Sequence, residues 1–150
     1  MTEAVFYVML FAGLILAAAA VAAVFRYYGK SRYLKRFDEM DGRDFEYYCA
    51  KLLERHGFCE VEVTKGSGDY GVDILAEKEG ITYAIQCKCY NNPVGVKAVQ
   101  EAYAGRDYYD RMVGCVLTNQ YFTKAAIDAA RKLKILLWDG GYLEALENER

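Results

Sequence analysis

Three features of this 150-residue chain predict an α/β fold, a mixed sheet flanked by helices and preceded by one transmembrane helix. A run without charge extends from Ala4 to Phe25, three β-type segments lie close together between Phe58 and Cys89, and a helical segment separates the third from a fourth. Strands joined by short turns pair antiparallel, whereas a helix between two strands makes their pairing parallel. The expected sheet is therefore an antiparallel three-strand meander plus a parallel crossover.

The N-terminal run comes first. Its 22 residues, at 1.5 Å each, reach about 33 Å, enough to cross a hydrocarbon core of roughly 30 Å. A secretory signal peptide is the competing reading, because the small residues from Ala17 to Ala23 imitate a cleavage site. Against it stand the start Thr2-Glu3 in place of a basic one, the length of the run, and the cations Arg26, Lys30, Arg32, Lys35 and Arg36 on its far side. Cations on that flank place it in the cytoplasm, and Tyr27, Tyr28 and Tyr33 favour the headgroup zone. The expectation is a single-pass cell-membrane protein with its N-terminus outside and a cytoplasmic catalytic domain. Residues 1–25 form the anchor, 26–40 a basic juxtamembrane linker and 41–150 the folded domain. Lipid headgroups account for the basic stretch, although nucleic acid would meet it as well.

Charge and cysteines narrow the function classes. All 19 basic residues lie from Arg26 onwards, against 20 of the 21 acids. Strong nonspecific attraction to DNA is not expected from so balanced a domain, and any attraction comes from a local basic face. Five cysteines and one histidine contain no Cys-x-x-Cys pair, so neither a disulfide framework nor a zinc site is indicated.

After the acidic join from Asp38 to Gly42, Asp41 or Asp44 caps a helix carrying Phe45, Cys49, Leu52 and Leu53 at helical spacing, and Gly57 stops it. Glu46 lies in its first turn, where the helix dipole alone favours a carboxylate. His56 is placed to meet the free carbonyls of the helix end. Phe58 to Thr64 alternates as the first strand, with one shift near its start. Gly66 to Gly71 forms a turn, in which Asp69 either shapes the chain or stands near a metal. The apolar run Val72–Ala76 then places Asp73 inside the second strand.

Glu79-Gly80 fits a tight turn into the third strand, Ile81 to Cys89. Tyr90, Asn91, Asn92 and Pro93 follow as a polar loop. Val94 to about Tyr109 reads as an amphipathic helix with Val96, Val99 and Tyr103 facing inward. Met112–Thr118 is a fourth strand, Lys124–Leu133 a helix, Ile135–Trp138 a fifth strand, and Asp139-Gly140-Gly141 turns into a last helix.

The chemistry gathers between Gly66 and Cys89. If Glu79-Gly80 is a two-residue turn, Lys78 opposes Ile81 and Asp73 opposes Gln86. Opposed residues project to one side, and Lys88 shares the face of Gln86. A carboxylate, an amide oxygen and a lysine on one patch suit metal-assisted phosphodiester hydrolysis. Mg²⁺ takes oxygen ligands, keeps several waters and needs only one or two carboxylates. Asp73 supplies the carboxylate, while the Gln86 amide oxygen and the Cys87 main-chain carbonyl are neutral ligands. Lys88 adds positive charge beside the transition state. Lys97 and the loop residues Tyr90 and Asn91 are candidate substrate contacts, and Gln100, reaching towards the site from its helix, is a candidate auxiliary site residue.

This ordered set resembles the PD-(D/E)xK nuclease superfamily, specifically the catalytic domain of Mrr-type restriction endonucleases. The resemblance rests on Gly68-Asp69-Tyr70-Gly71-Val72-Asp73, on Gln86-Cys87-Lys88 and on Glu46, and covers about Asp41 to Leu146. Thr118 at a strand end and the Asp139-Gly140 turn match the later part of such domains. The resemblance implies a restriction-endonuclease-like sheet, DNA hydrolysis with Mg²⁺ (or Mn²⁺), and Glu46 as an auxiliary ligand or orienting residue. It also implies defence against foreign or modified DNA. Gln86 stands where the wider superfamily has an acid, which disfavours a tightly bound second metal. The alternative is a module on the same fold that binds DNA or a partner without cutting. No separate target-reading domain is recognisable, so specificity is low or supplied by a homodimer or another protein.

Overall fold

A computed structural model describes residues 3–35, 37, 40–65, 68 and 70–149. The chain divides into two units, residues 1–36 and 37–150. The first contains helix α1 (Glu3–Lys35), which continues through most of the stretch read as a linker. Within it, Val5–Phe25 is long and apolar enough to cross a membrane by length and composition, and none of that window is buried. Phe6, Leu10, Phe11 and Leu14 are among its exposed apolar side chains.

The second unit begins at Phe37, which is buried and packs edge-on to Phe45 and Tyr48 at 5.6 and 5.9 Å between ring centroids. Helix α2 (Gly42–Arg55) starts at Asp41, whose side chain accepts the Asp44 N–H at 2.8 Å. At its other end His56 Nδ1 lies 2.8 Å from the Leu52 carbonyl, as its place in the sequence predicts. Strands β1 (Cys59–Val63), β2 (Ile74–Lys78) and β3 (Ile81–Lys88) form the antiparallel meander. The expected shift near the start of β1 is a bulge between Cys59 and Glu62. Helix α3 (Val96–Tyr108) leads to β4 (Val113–Thr118), parallel to β3, and α4 (Lys124–Leu133) leads to β5 (Ile135–Trp138), parallel to β4. Helix α5 (Gly140–Asn148) closes the unit. The five-stranded mixed sheet thus has the order β1-β2-β3-β4-β5.

Two layers cover the sheet. On one face, Val116 and Ile135 pack with Val99, Ala102, Ala126 and Ala130 of α3 and α4. On the other, the Cys87 thiol meets Cys49 of α2, and Phe58, Tyr83 and Trp138 form an aromatic cluster with centroids 5.3 to 6.1 Å apart.

The inward face of α3 differs from the sequence expectation. Val99 is buried, but Val96 and Tyr103 are 38% and 37% exposed. The helix docks instead through small residues, Ala98, Ala102 and Gly105, spaced to share one face. A Cβ on Gly105 would run into Val72 and into the Tyr70 carbonyl. Close approach, rather than bulk, sets this contact.

Candidate active site

The turn between β2 and β3 fixes the geometry. Glu79 and Gly80 have φ of +54° and +78°, the left-handed pair of a two-residue hairpin whose twist matches the strands. Lys78 opposes Ile81 as predicted, and the pairing runs back to Ile74 opposite Ile85. There the ladder changes character. A regular ladder would bring the Cys87 N–H to the Val72 carbonyl. Instead this N–H donates to Oδ2 of Asp73 at 2.6 Å, and the Val72 carbonyl accepts the Thr64 hydroxyl at 2.7 Å.

Asp73 therefore stands one residue before β2 rather than inside the strand, a correction to the sequence reading. Its side chain has taken over a main-chain position in the ladder. Its own backbone is tied on both sides: its N–H donates to the Ile85 carbonyl and its carbonyl accepts the Thr64 N–H, each at 2.9 Å.

Asp73, Gln86 and Lys88 converge on one cleft of about 530 Å³, whose other lining residues include Tyr70, Lys97, Gln100 and Glu101. The Gln86 amide Nε2 donates to Asp73 Oδ2 and, at 3.3 Å, to the Cys87 carbonyl. Lys88 Nζ lies 2.9 Å from Glu101 Oε2, with both side chains largely covered. Burial draws the Lys88 ammonium towards its neutral form, but Glu101, and then Tyr90 and Asp73, more than offset it, so its pKa is raised above the ordinary lysine value. The Cys87 thiol behind the site is also pushed well up, by Cys49, by burial, and by the charges of Asp73 and Glu46.

The remaining predicted residues are distributed unevenly. Lys97 and Gln100 line the cleft from α3, with Lys97 88% exposed and 3.8 Å from Glu101. Glu46 is not among the lining residues. It accepts from Arg43 Nη1 at 2.8 Å, the same nitrogen reaches the Thr64 carbonyl at 2.6 Å, and Thr64 holds the Asp73 backbone. Tyr90 and Asn91 are exposed beyond β3 and do not line the cleft. Asp69 lies outside the described residues.

Sequence reasoning missed several supports. Glu101 pairs with Lys88, Arg43 and Thr64 brace Asp73, and Asn119 clamps Tyr90 by bonding both its N–H and its carbonyl at 2.9 Å. Thr118 donates its hydroxyl to the Lys88 carbonyl at 2.7 Å. The signal for Glu101 lay in the small-residue stripe Ala98, Ala102 and Gly105, whose border it occupies.

The donor set fits a hard divalent cation. Among the described residues no three His, Cys, Asp or Glu side chains gather as a protein cage would require. Such an ion does not need a cage, since it keeps waters and takes neutral oxygens beside one carboxylate. The Gln86 NH₂ group, with partial positive charge, already bridges Asp73 Oδ2 and the Cys87 carbonyl, so these two oxygens face a common point. Turning the amide about its last torsion exchanges nitrogen for oxygen at nearly unchanged shape.

Comparisons with known proteins bear on the family and the fold. The Mrr catalytic-domain family model, described as restriction endonuclease, matches residues 37–146. An uncharacterized protein of Archaeoglobus fulgidus is 40% identical over 60 residues, which are 37% of this chain and 34% of that one. Among solved structures, the protein of unknown function AF1548 is 29% identical with a TM-score of 0.57, over 67% of this chain and 62% of that one. The DNA modification-dependent restriction endonuclease AspBHI is 20% identical (TM-score 0.58; 78% of this chain, 33% of that one). The MspJI restriction endonuclease, solved with a 27-mer oligonucleotide, is 19% identical (TM-score 0.60; 79% and 30%). At these identities AspBHI and MspJI show the fold alone. The chain spans about a third of the Archaeoglobus protein and of each of these two endonucleases.

Proposed function

Since the chain belongs to the restriction endonuclease family, in its Mrr-type catalytic-domain branch, we propose that it is a metal-dependent endonuclease that hydrolyses DNA phosphodiester bonds at a membrane. The observation that carries this reading is the convergence of Asp73, Gln86 and Lys88 on one open cleft. Mg²⁺ or Mn²⁺ would be held by the Asp73 carboxylate, the Gln86 amide oxygen and the Cys87 carbonyl. When bound, a divalent ion supplies Lewis-acid stabilisation of charge on the phosphoryl oxygens.

The chain's own residues do the rest. The Cys87 N–H and the Thr64 brace fix Asp73 before any ligand arrives, so Asp73 itself needs little reorganisation. Lys88, held protonated beside Glu101, offers charge to the phosphate rather than abstracting a proton. Lys97 and Gln100 on the α3 wall bind the strand entering the cleft, and Tyr90 and Asn91 meet it further along. Glu46 orients Asp73 through Arg43 and Thr64.

The apolar helix, with residues 1–25 as anchor, would tether the domain to the cell membrane with the N-terminus outside and the catalytic unit in the cytoplasm, where DNA is. Residues 26–40 lead from the anchor to the domain at 41–150, to which the Phe37 packing adds a short start. Restriction of foreign or modified DNA is the role in keeping with the relatives, with specificity either low or supplied by a homodimer or another protein. A second reading, a non-cleaving DNA-binding module, is favoured by one observation: Lys88 and Asp73 already have partners inside the protein.

The test is incubation of the full-length chain with plasmid, linear, methylated and branched DNA in Mg²⁺, Mn²⁺ or EDTA. Products with metal and none with EDTA support the nuclease. Salt-dependent binding without products in any metal, unchanged in Asp73→Ala, supports the module instead.

A further inference from the structure

We propose that Glu101 is a positioning residue for this site: its carboxylate pins the Lys88 ammonium to the α3 wall of the cleft, aimed at the phosphate. The inference rests on the nuclease reading above and adds a residue that the motif does not contain.

Two contacts place Glu101, and a third places the helix that carries it. Its Oε2 lies 2.9 Å from Lys88 Nζ. That oxygen is shut off from solvent and accepts no aligned hydrogen bond among the described residues, so the ion pair to Lys88 is what compensates its burial. Its backbone presses on the turn that carries Asp73: a Cβ on Gly71, which has φ +81°, would stand 2.9 Å from both the Cβ and the carbonyl oxygen of Glu101. One helical turn further on, Gly105 meets Val72 in the same close manner. The Asp73 turn, helix α3 and Lys88 are thereby locked to one another, with Glu101 at the junction.

A lysine ammonium on its flexible four-carbon stem is a poor fixed charge unless something holds it. It has three donor hydrogens; one can face Glu101 while the others remain for phosphate oxygens. Lys97, 3.8 Å from Oε1 but 88% exposed, does not hold the carboxylate in this way. Glu101 therefore acts on catalysis through Lys88. Removing its charge is expected to slow the reaction more than it weakens binding, because a loosened Lys88 still attracts DNA without being aimed.

The experiment compares full-length wild type, Glu101→Gln and Glu101→Asp in cleavage with Mn²⁺ or Mg²⁺, and in metal-free DNA binding by fluorescence anisotropy in EDTA. Glu101→Gln should lower kcat about tenfold or more while KM and the metal-free Kd stay within about threefold. Glu101→Asp, which keeps the charge on a shorter stem, should recover part of the loss. Wild-type kcat in Glu101→Gln, or Glu101→Asp no better than Glu101→Gln, overturns the proposal while leaving the nuclease reading intact. A wild-type chain that cuts nothing in either metal overturns the nuclease reading and, with it, the role assigned to Glu101.

Discussion

Gln86 and Lys88 leave β3 on the side covered by α3, whereas Ile85 and Cys87 leave it towards α2, and the two faces of this one strand have opposite physical characters. On the α3 side the groups are charged or polar, and the space beside them is an open cleft. On the α2 side Ile85 is fully buried, and the Cys87 thiol is held protonated among Cys49 and the surrounding protein. The period of two in a strand separates packing from chemistry within four consecutive residues. At this end of β3 the α2 side is packed, and the α3 side is left to hold groups that no core would tolerate unpaired.

This contrast can be broken from either side. The largest effect is expected from Asp73→Asn, which cannot accept from Gln86 and Cys87 with full charge: cleavage should fall on the order of 10³-fold, with thermal unfolding showing a folded chain. On the opposite face, Ile85→Ala should cost about 2–5 kcal/mol of stability, measured by urea unfolding, while the rate per folded molecule stays near wild type. Gly105→Ala probes the junction between them. Its added methyl meets Val72 and the Tyr70 carbonyl, so it should cost about 1–3 kcal/mol and also lower cleavage, because the α3 wall moves.

The smallest effect concerns the thiols. Burial raises the Cys115 pKa well above its ordinary value. Its contribution to stability is therefore present below the ordinary thiol pKa and is lost as pH rises through the raised one, because the unfolded chain ionises first. Denaturation midpoints should decline over that alkaline range in wild type and decline less in Cys115→Ala. In the same range an alkylating reagent should modify exposed Cys59 before Cys49, Cys87 or Cys115, as read by mass spectrometry.

Local chemistry was legible in the sequence where short-range rules decide it. The Glu79-Gly80 turn gave the hairpin register, and with it the shared face of Gln86 and Lys88. The limits of α4 and β5 also agree with the sequence reading, because Thr123 caps one and the left-handed Lys134 separates it from the other. What stayed hidden depends on tertiary contact. Asp73 looked like a strand residue because Val72 to Ala76 is apolar, yet its carboxylate replaces a backbone carbonyl in the ladder. Large residues suggested the wrong inward face for α3, since its docking uses Ala98, Ala102 and Gly105, and the same error concealed Glu101. The motif points to Glu46 at the site, whereas in the fold it is absent from the cleft lining and pairs with Arg43, which reaches the Thr64 carbonyl.

The most direct measurement sets Lys88→Met beside Ile85→Ala, two changes three residues apart on opposite faces of β3, in metal-dependent DNA cleavage normalised to the folded fraction. Lys88→Met should lose about 10² to 10³-fold, and Ile85→Ala should keep a near wild-type rate. Equal losses in the two variants, or full activity in Lys88→Met, would contradict the claim that an acid just before β2 and an amine at the end of β3 serve one cleft.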